Sequence, residues 1–136
     1  VPAVEDAPYP RLLGIREELR ERGRAVVSME VDPGVHMNAM GVVHGGAIAS
    51  LVDSAAGRAV ASMVGGNARM ATVELKVNYL MPSSGGTIRA EGRVVHMGTR
   101  IAVVEVDVSQ DGSLIAKALA TYYVMGPGTG AARPRP

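Results

Sequence analysis

The chain has 136 residues, 14 basic against 13 acidic side chains, a net charge of +1, and nearly half of its residues are hydrophobic. That length suits one domain with a modest core, and the near-neutral balance argues against a nucleic-acid protein held by a basic field. With no cysteine there is no disulfide framework, no thiolate nucleophile and no Cys-ligated zinc.

Phe and Trp are also absent, so Val, Ala, Leu, Ile and Met must build the core. Small side chains of this kind let helix and sheet approach closely. The longest apolar run, residues 47–64, contains Asp53 and Arg58 and is too broken to span a bilayer. The first residues lack the basic start and apolar stretch of a secretory signal. A reducing cytoplasm is the expected location, with neither membrane nor nucleic acid as partner.

Residues 1–8 are Pro-rich and 126–136 are rich in Gly, Pro and Arg, so both read as flexible termini around one domain, 9–125. "PYPRLLGI" suits a short helix or turn. "REELRERG" is either a solvated helix or an edge strand joined at Gly23 to "RAVVSMEV", itself a convincing strand. The loop "DPGVHMNAMGVVHGG" ends at a helix start. That helix is expected over roughly Gly45–Val64, closed by Gly65-Gly66, and its apolar character on nearly every side implies that other structure wraps it.

Strands follow. "TVELKVNYL" alternates, with Val73, Leu75, Val77 and Tyr79 on one face and Thr72, Glu74, Lys76 and Asn78 on the other. "MPSSGG" reads as a turn. "TIRAEGRVVHM" places Ile88, Ala90, Gly92 and Val94 on one side, and "RIAVVEVDV" does the same with Ala102, Val104, Val106 and Val108. "QDGS" carries the Asp-Gly hairpin signal before a final strand, "LIAKALATYYVM". The class is α+β: one long central helix wrapped by an antiparallel sheet of five to six strands.

Three features of residues 38–57 point to chemistry. Gly45-Gly46 at a helix start offers unpaired N–H groups and a favourable dipole, although a tight loop-to-helix turn needs the same residues. Asn38 can aim an amide N–H₂ at the same oxygen, completing an oxyanion hole, or can be an ordinary turn residue. Asp53 is a carboxylate among Ala, Val and Leu, costly to bury unless paired. Ser50, three residues earlier, or a distant Arg or backbone amide can satisfy it. Otherwise it is a general base or nucleophile at a dry site.

Eight residues separate Asp53 from Gly45, roughly 12 Å along one helix at ~1.5 Å per residue. One helix therefore cannot bring both to one carbonyl. A two-fold dimer with antiparallel helices can, by setting Asp53 of the partner subunit opposite Gly45. His36, His44 and His96 form no spaced metal motif, so no metal is expected. No Gly-x-Ser-x-Gly elbow is present. Arg89, Arg93 and Arg100 either meet the phosphates of an anionic carrier or form a solvated face.

The segment "NAMGVVHGGAIASLVDSAAG" has Asn, Gly three residues on, His-Gly-Gly, and Asp seven after the second Gly. With "TVELKVNYLMPSSGG", which contains Tyr-x-x-Pro, and "GTR" in the next hairpin, it resembles the hotdog-fold thioesterases of the phenylacetate-degradation (PaaI) type over about residues 9–125. The resemblance implies a hotdog fold, acyl-CoA hydrolysis without a cofactor, and a homodimer or a dimer-of-dimers tetramer. Asn38 and the Gly45 amide match the donors that polarise the thioester carbonyl, and His44 the residue that steadies their loop. Asp53 of the partner subunit matches the acid that activates water or attacks directly, and Thr72 a residue that positions the water. Gly46, Tyr79 and Arg100 are the substrate-contact candidates. An aromatic acyl pocket would have to be lined by Met, Leu, Val and Tyr. Two other activities share these features: a hotdog enoyl- or hydroxyacyl-CoA (de)hydratase using His44, and a non-catalytic acyl-CoA or lipid-binding module.

Overall fold

Every second residue of the later strands is apolar, and those residues are the ones the sheet buries: Ile88, Ala90, Ala102, Val104, Val106 and Val108 are all fully inaccessible. The computed structural model describes residues 7–65 and 68–127. In chain order the elements are α1 (Pro8–Leu13), β1 (Ile15–Glu21), β2 (Arg24–Glu30), α2 (Gly45–Ala61), β3 (Ala68–Tyr79), β4 (Thr87–Met97), β5 (Ile101–Gln110) and β6 (Ser113–Pro127). The expected flexible termini fall largely on residues 1–6 and 128–136, outside the described residues. Pro8 already opens α1, and β6 runs to Pro127, two residues past the expected boundary.

The six strands form one antiparallel sheet in the order β1-β2-β4-β5-β6-β3, and α2 lies across its apolar face. This is the helix-in-sheet arrangement of the hotdog fold. "REELRERG" is the edge strand β1. Its charges are tolerated because only one neighbour pairs with it, and Glu17 and Arg20 form a two-pronged ion pair at 3.0 and 2.6 Å beside a register shift. Asp111 and Gly112, at φ 51° and 79°, form the β5–β6 turn that the Asp-Gly pair predicts.

"MPSSGG" makes no hairpin. β3 pairs with β6 at the far edge, so residues 80–86 carry the chain back across the sheet to β4. Leu80 and Met81 donate from their backbone to the Ile115 carbonyl at 2.9 and 3.1 Å, and Ser83 accepts from Val43 at 2.7 Å.

The helix buries Ala47, Ile48, Leu51, Val52, Ala55, Ala56, Ala59 and Val60. It sits close to the sheet because Gly92 of β4 has no side chain: a Cβ there would stand 2.9 Å from the Ala55 carbonyl oxygen. The helix stops at Ala61, three residues earlier than expected. Ser62 ends it, with its Oγ donating to Ala59 O at 2.6 Å and accepting from Gly23 N at 2.8 Å. Gly66, half of the expected Gly-Gly stop, lies outside the described residues. Among the described residues, no helix is long and apolar enough to cross a membrane.

Candidate functional site

The loop before α2 is shaped by two side chains that accept backbone hydrogen bonds. Asn38 Oδ1 takes the N–H groups of Met40 (2.9 Å) and Val42 (3.2 Å), while its own N–H reaches Val42 O at 2.8 Å. The carbonyl end of the amide is thus occupied by the turn, and its N–H₂ end has no partner among the described residues. His44 is the N-cap of α2: its Nδ1 accepts from Gly46 N at 2.8 Å. That bond places the neutral ring's proton on Nε2.

The same bond decides between the two glycines. The Gly46 amide is engaged by His44, so Gly46 offers a ligand no free N–H. The Gly45 amide has no partner among the described residues and lies at the positive end of the helix. Tyr79 closes this end, with its hydroxyl donating to Gly45 O at 2.6 Å, and its phenol is shifted upward in pKa by desolvation. Glycine at position 45 leaves room for this contact: a Cβ there would stand 3.2 Å from Cζ and the hydroxyl of Tyr79, tight enough to shift the ring by a few tenths of an ångström. Beside Gly45 lies a cleft of about 290 Å³ with an aliphatic wall of Val42, Val43, Ile48, Leu80, Met81 and Pro82.

Two turns along the helix is the second half of the arrangement. Asp53 is half-buried rather than fully buried, between the inaccessible Leu51–Val52 and Ala55–Ala56. Its Oδ1 accepts from Thr72 Oγ1 at 2.7 Å and from Tyr122 Oη at 2.6 Å. Neither donor takes Oδ2, which is also absent from the buried unpaired atoms among the described residues. The carboxylate is therefore held by both hydroxyls on one oxygen. The expected neighbour on its own helix, Ser50, instead donates its Oγ to Gly46 O at 2.8 Å. A cleft of about 370 Å³ lies over this carboxylate, lined by Pro10, Ser54, Arg58, Met70, Thr72 and Tyr122 among others.

Thr72 reaches Asp53 because of a fault in the alternation of β3. The register of β3 on β6 shifts between Thr72, opposite Tyr122, and Glu74, opposite Thr121, so Val73 is an extra residue and is 60% exposed. The bulge turns Thr72 onto the helix-facing side with Leu75 and Val77 and expels Val73 from it. Strict alternation predicts the opposite face for both residues.

Tyr122 escaped the sequence reading. It occupies one more inward position on β6, and only the hydroxyl of Tyr122 and the facing acid distinguish it from a core aromatic. Burial, then the charge of Asp53, raise its pKa well above the usual phenol value. Arg100 is not brought to either cleft; its guanidinium donates to Tyr123 Oη at 2.9 Å. Arg89 and Arg93 pair with Glu18, Glu91 and Asp107. His36, 2% exposed, ties the loop together by accepting from Asp32 N and donating to Leu13 O, both at 2.8 Å. Among the described residues no cluster of His, Asp and Glu could hold a metal ion.

Residues 40–116 match the family model described as thioesterase superfamily. The chain is 33% identical to the medium/long-chain acyl-CoA thioesterase YigI of Escherichia coli (strain K12), over 89% of this chain and 88% of that protein. Among solved structures, it superposes on the conserved protein PA5202 of Pseudomonas aeruginosa with a TM-score of 0.84 and 34% identity, covering 88% of this chain and 94% of that one. It superposes on a mutant of the phenylacetic acid degradation protein PaaI of Thermus thermophilus with a TM-score of 0.79 and 28% identity, covering 86% and 98%.

Proposed function

This chain belongs to the thioesterase superfamily, and from that premise we propose that it hydrolyses acyl-CoA thioesters at a site shared between two subunits. The observation that carries the proposal is the pairing of unused groups. The Gly45 N–H and the Asn38 N–H₂ are free donors at a helix N-terminus, and Asp53 Oδ2 is a free acceptor on a carboxylate held in place. The first two polarise the thioester carbonyl and receive the charge that develops on its oxygen. Asp53 of the partner subunit activates a water for attack on the carbonyl carbon, or attacks it directly. The C–S bond then breaks, and the CoA thiolate leaves with little need of acid assistance.

Sharing follows from distance. Within one chain the donors and the acid are about 12 Å apart along α2, too far to act on one carbonyl. β3 is a 12-residue edge strand with no partner on its outer side among the described residues, and it borders the Asp53 cleft through Met70, Ala71 and Thr72. Two copies joined edge to edge along β3 about a two-fold axis run their helices antiparallel, each acid facing the other copy's glycine. Such pairing also removes an exposed sheet edge, which would otherwise invite aggregation.

His44 supports hydrolysis over hydration. Its Nδ1 already accepts the Gly46 amide, so the neutral ring has no second lone pair with which to serve as a base. The aliphatic cleft beside Gly45 fits an alkyl acyl group, in keeping with the medium- and long-chain specificity in the name of YigI. Thiol release across short, medium, long and aromatic acyl-CoAs, with D53A as control, tests the proposal. Turnover of medium or long alkyl substrates, lowered ~10²–10⁴-fold in D53A, is expected. Wild-type protein that binds acyl-CoA without releasing thiol would mark it as a binding module instead.

A further inference from the structure

The buried residues of β6 are Ile115, Ala116, Ala118, Ala120, Tyr122 and Val124, so among the described residues Tyr122 is the single polar side chain in that set. Its hydroxyl lies 2.6 Å from Asp53 Oδ1 and 2.8 Å from the Asp53 carbonyl oxygen, with one proton to give. The carboxylate is the stronger acceptor and takes it. Above the phenol, Gly57 has no side chain; a Cβ there would stand 3.2 Å from Tyr122 Oη. Glycine inside a helix is unfavourable relative to alanine, and admission of the phenol gives this one a reason.

The consequence is orientational. A carboxylate has two equivalent oxygens that exchange by rotation about the Cβ–Cγ bond. Thr72 and Tyr122, arriving from two different strands, both engage Oδ1 and neither takes Oδ2, and this arrests the rotation of a carboxylate that borders the cleft.

We infer that Tyr122 is a positioning residue for Asp53: admitted by Gly57, it joins Thr72 in fixing Oδ1 so that Oδ2 is the oxygen presented to the reaction. The inference rests on the reading above that Asp53 is the reacting acid. Its effect on the reaction passes through Asp53, the group its hydroxyl holds.

Steady-state kinetics of Y122F, D53A and the double variant, on the alkyl acyl-CoA turned over best, test this. Y122F is expected to lower kcat by ~10- to 100-fold, the scale of losing a hydrogen bond to a charged acceptor, with KM within about threefold. In the D53A background the same change is expected to cost nothing further, because there is no carboxylate left to orient. G57A gives an independent reading: it should crowd the phenol and lower kcat while leaving the melting temperature unchanged or higher. Wild-type kcat in both Y122F and G57A would overturn the inference. So would a Y122F loss of the same factor with and without Asp53, which marks a packing role. Full activity in D53A would overturn the reading of Asp53 itself, and is distinguishable because it appears in the single variant.

Discussion

Replacing Asp53 by Asn alters one atom position of consequence. The side-chain carbonyl of Asn can stand where Oδ1 stands and keep both hydroxyl donors, Thr72 at 2.7 Å and Tyr122 at 2.6 Å. The amide N–H₂ then takes the place of Oδ2, turning the open acceptor into a donor. Loss of a general base costs ~10²–10⁴ in rate, or about 2.7–5.4 kcal/mol of transition-state stabilisation at 1.36 kcal/mol per decade. The fold loses far less. Two hydrogen bonds to a charged acceptor become neutral ones, on the order of 1 kcal/mol in total, which lowers the melting temperature by roughly 3–6 °C. Thiol release from a medium-chain acyl-CoA, together with a thermal melt, measures both. D53N with a wild-type rate refutes the role of Asp53. D53N that is inactive only because it is unfolded at the assay temperature refutes the account of how its carboxylate is held.

Asn38→Asp keeps the Oδ1 acceptor that holds the turn and replaces the N–H₂ donor by an oxygen, so activity should fall ~10²–10³-fold or more with a near-normal melt; a minor kinetic effect would show that Gly45 acts without it. Gly92→Ala should cost ~1–3 kcal/mol, because the new Cβ lies 2.9 Å from Ala55 O and must push α2 off the sheet; an unchanged denaturant midpoint would contradict that close approach. Tyr122 has a folded pKa raised by burial and by the charge of Asp53, so the stability it contributes is full below the unfolded phenol pKa of about 10 and is lost as pH rises from there toward the folded value. Unfolding midpoints should therefore drop above about pH 10, less steeply in Y122F; parallel curves for the two proteins would show that Tyr122 is not the group involved.

The parts of the molecule legible in the sequence are those set by local period and local chemistry. Alternation identified the buried faces of β4 and β5, Asp111-Gly112 identified their following turn, and a run of small apolar residues identified α2. The spacing of Asn38, Gly45 and Asp53 carried the family resemblance, which the match of residues 40–116 bears out. The remainder depended on contacts distant in sequence. Pairing of β3 with β6 rather than β4 is a choice among sheet edges, and "MPSSGG" serves a turn and a crossover equally well. The bulge at Val73 leaves no mark in a strand of β-branched and charged residues, yet it moves Thr72 to Asp53. Tyr122 looks like any inward residue until α2 is laid over it. Ser62 ended the helix before the glycines because Gly23, 39 residues earlier, supplied it a donor.

The central claim is that the donors of one subunit and the acid of the other form one site. Mixing N38D and D53N chains and allowing the dimers to exchange tests it directly. In a mixed dimer, one site collects both defects and the other collects none. Random exchange then makes half the dimers mixed and restores about a quarter of the wild-type activity from two inactive proteins. Activity that stays at the level of the separate variants, with exchange demonstrated, would place Asn38, Gly45 and Asp53 in one chain's site and contradict the account.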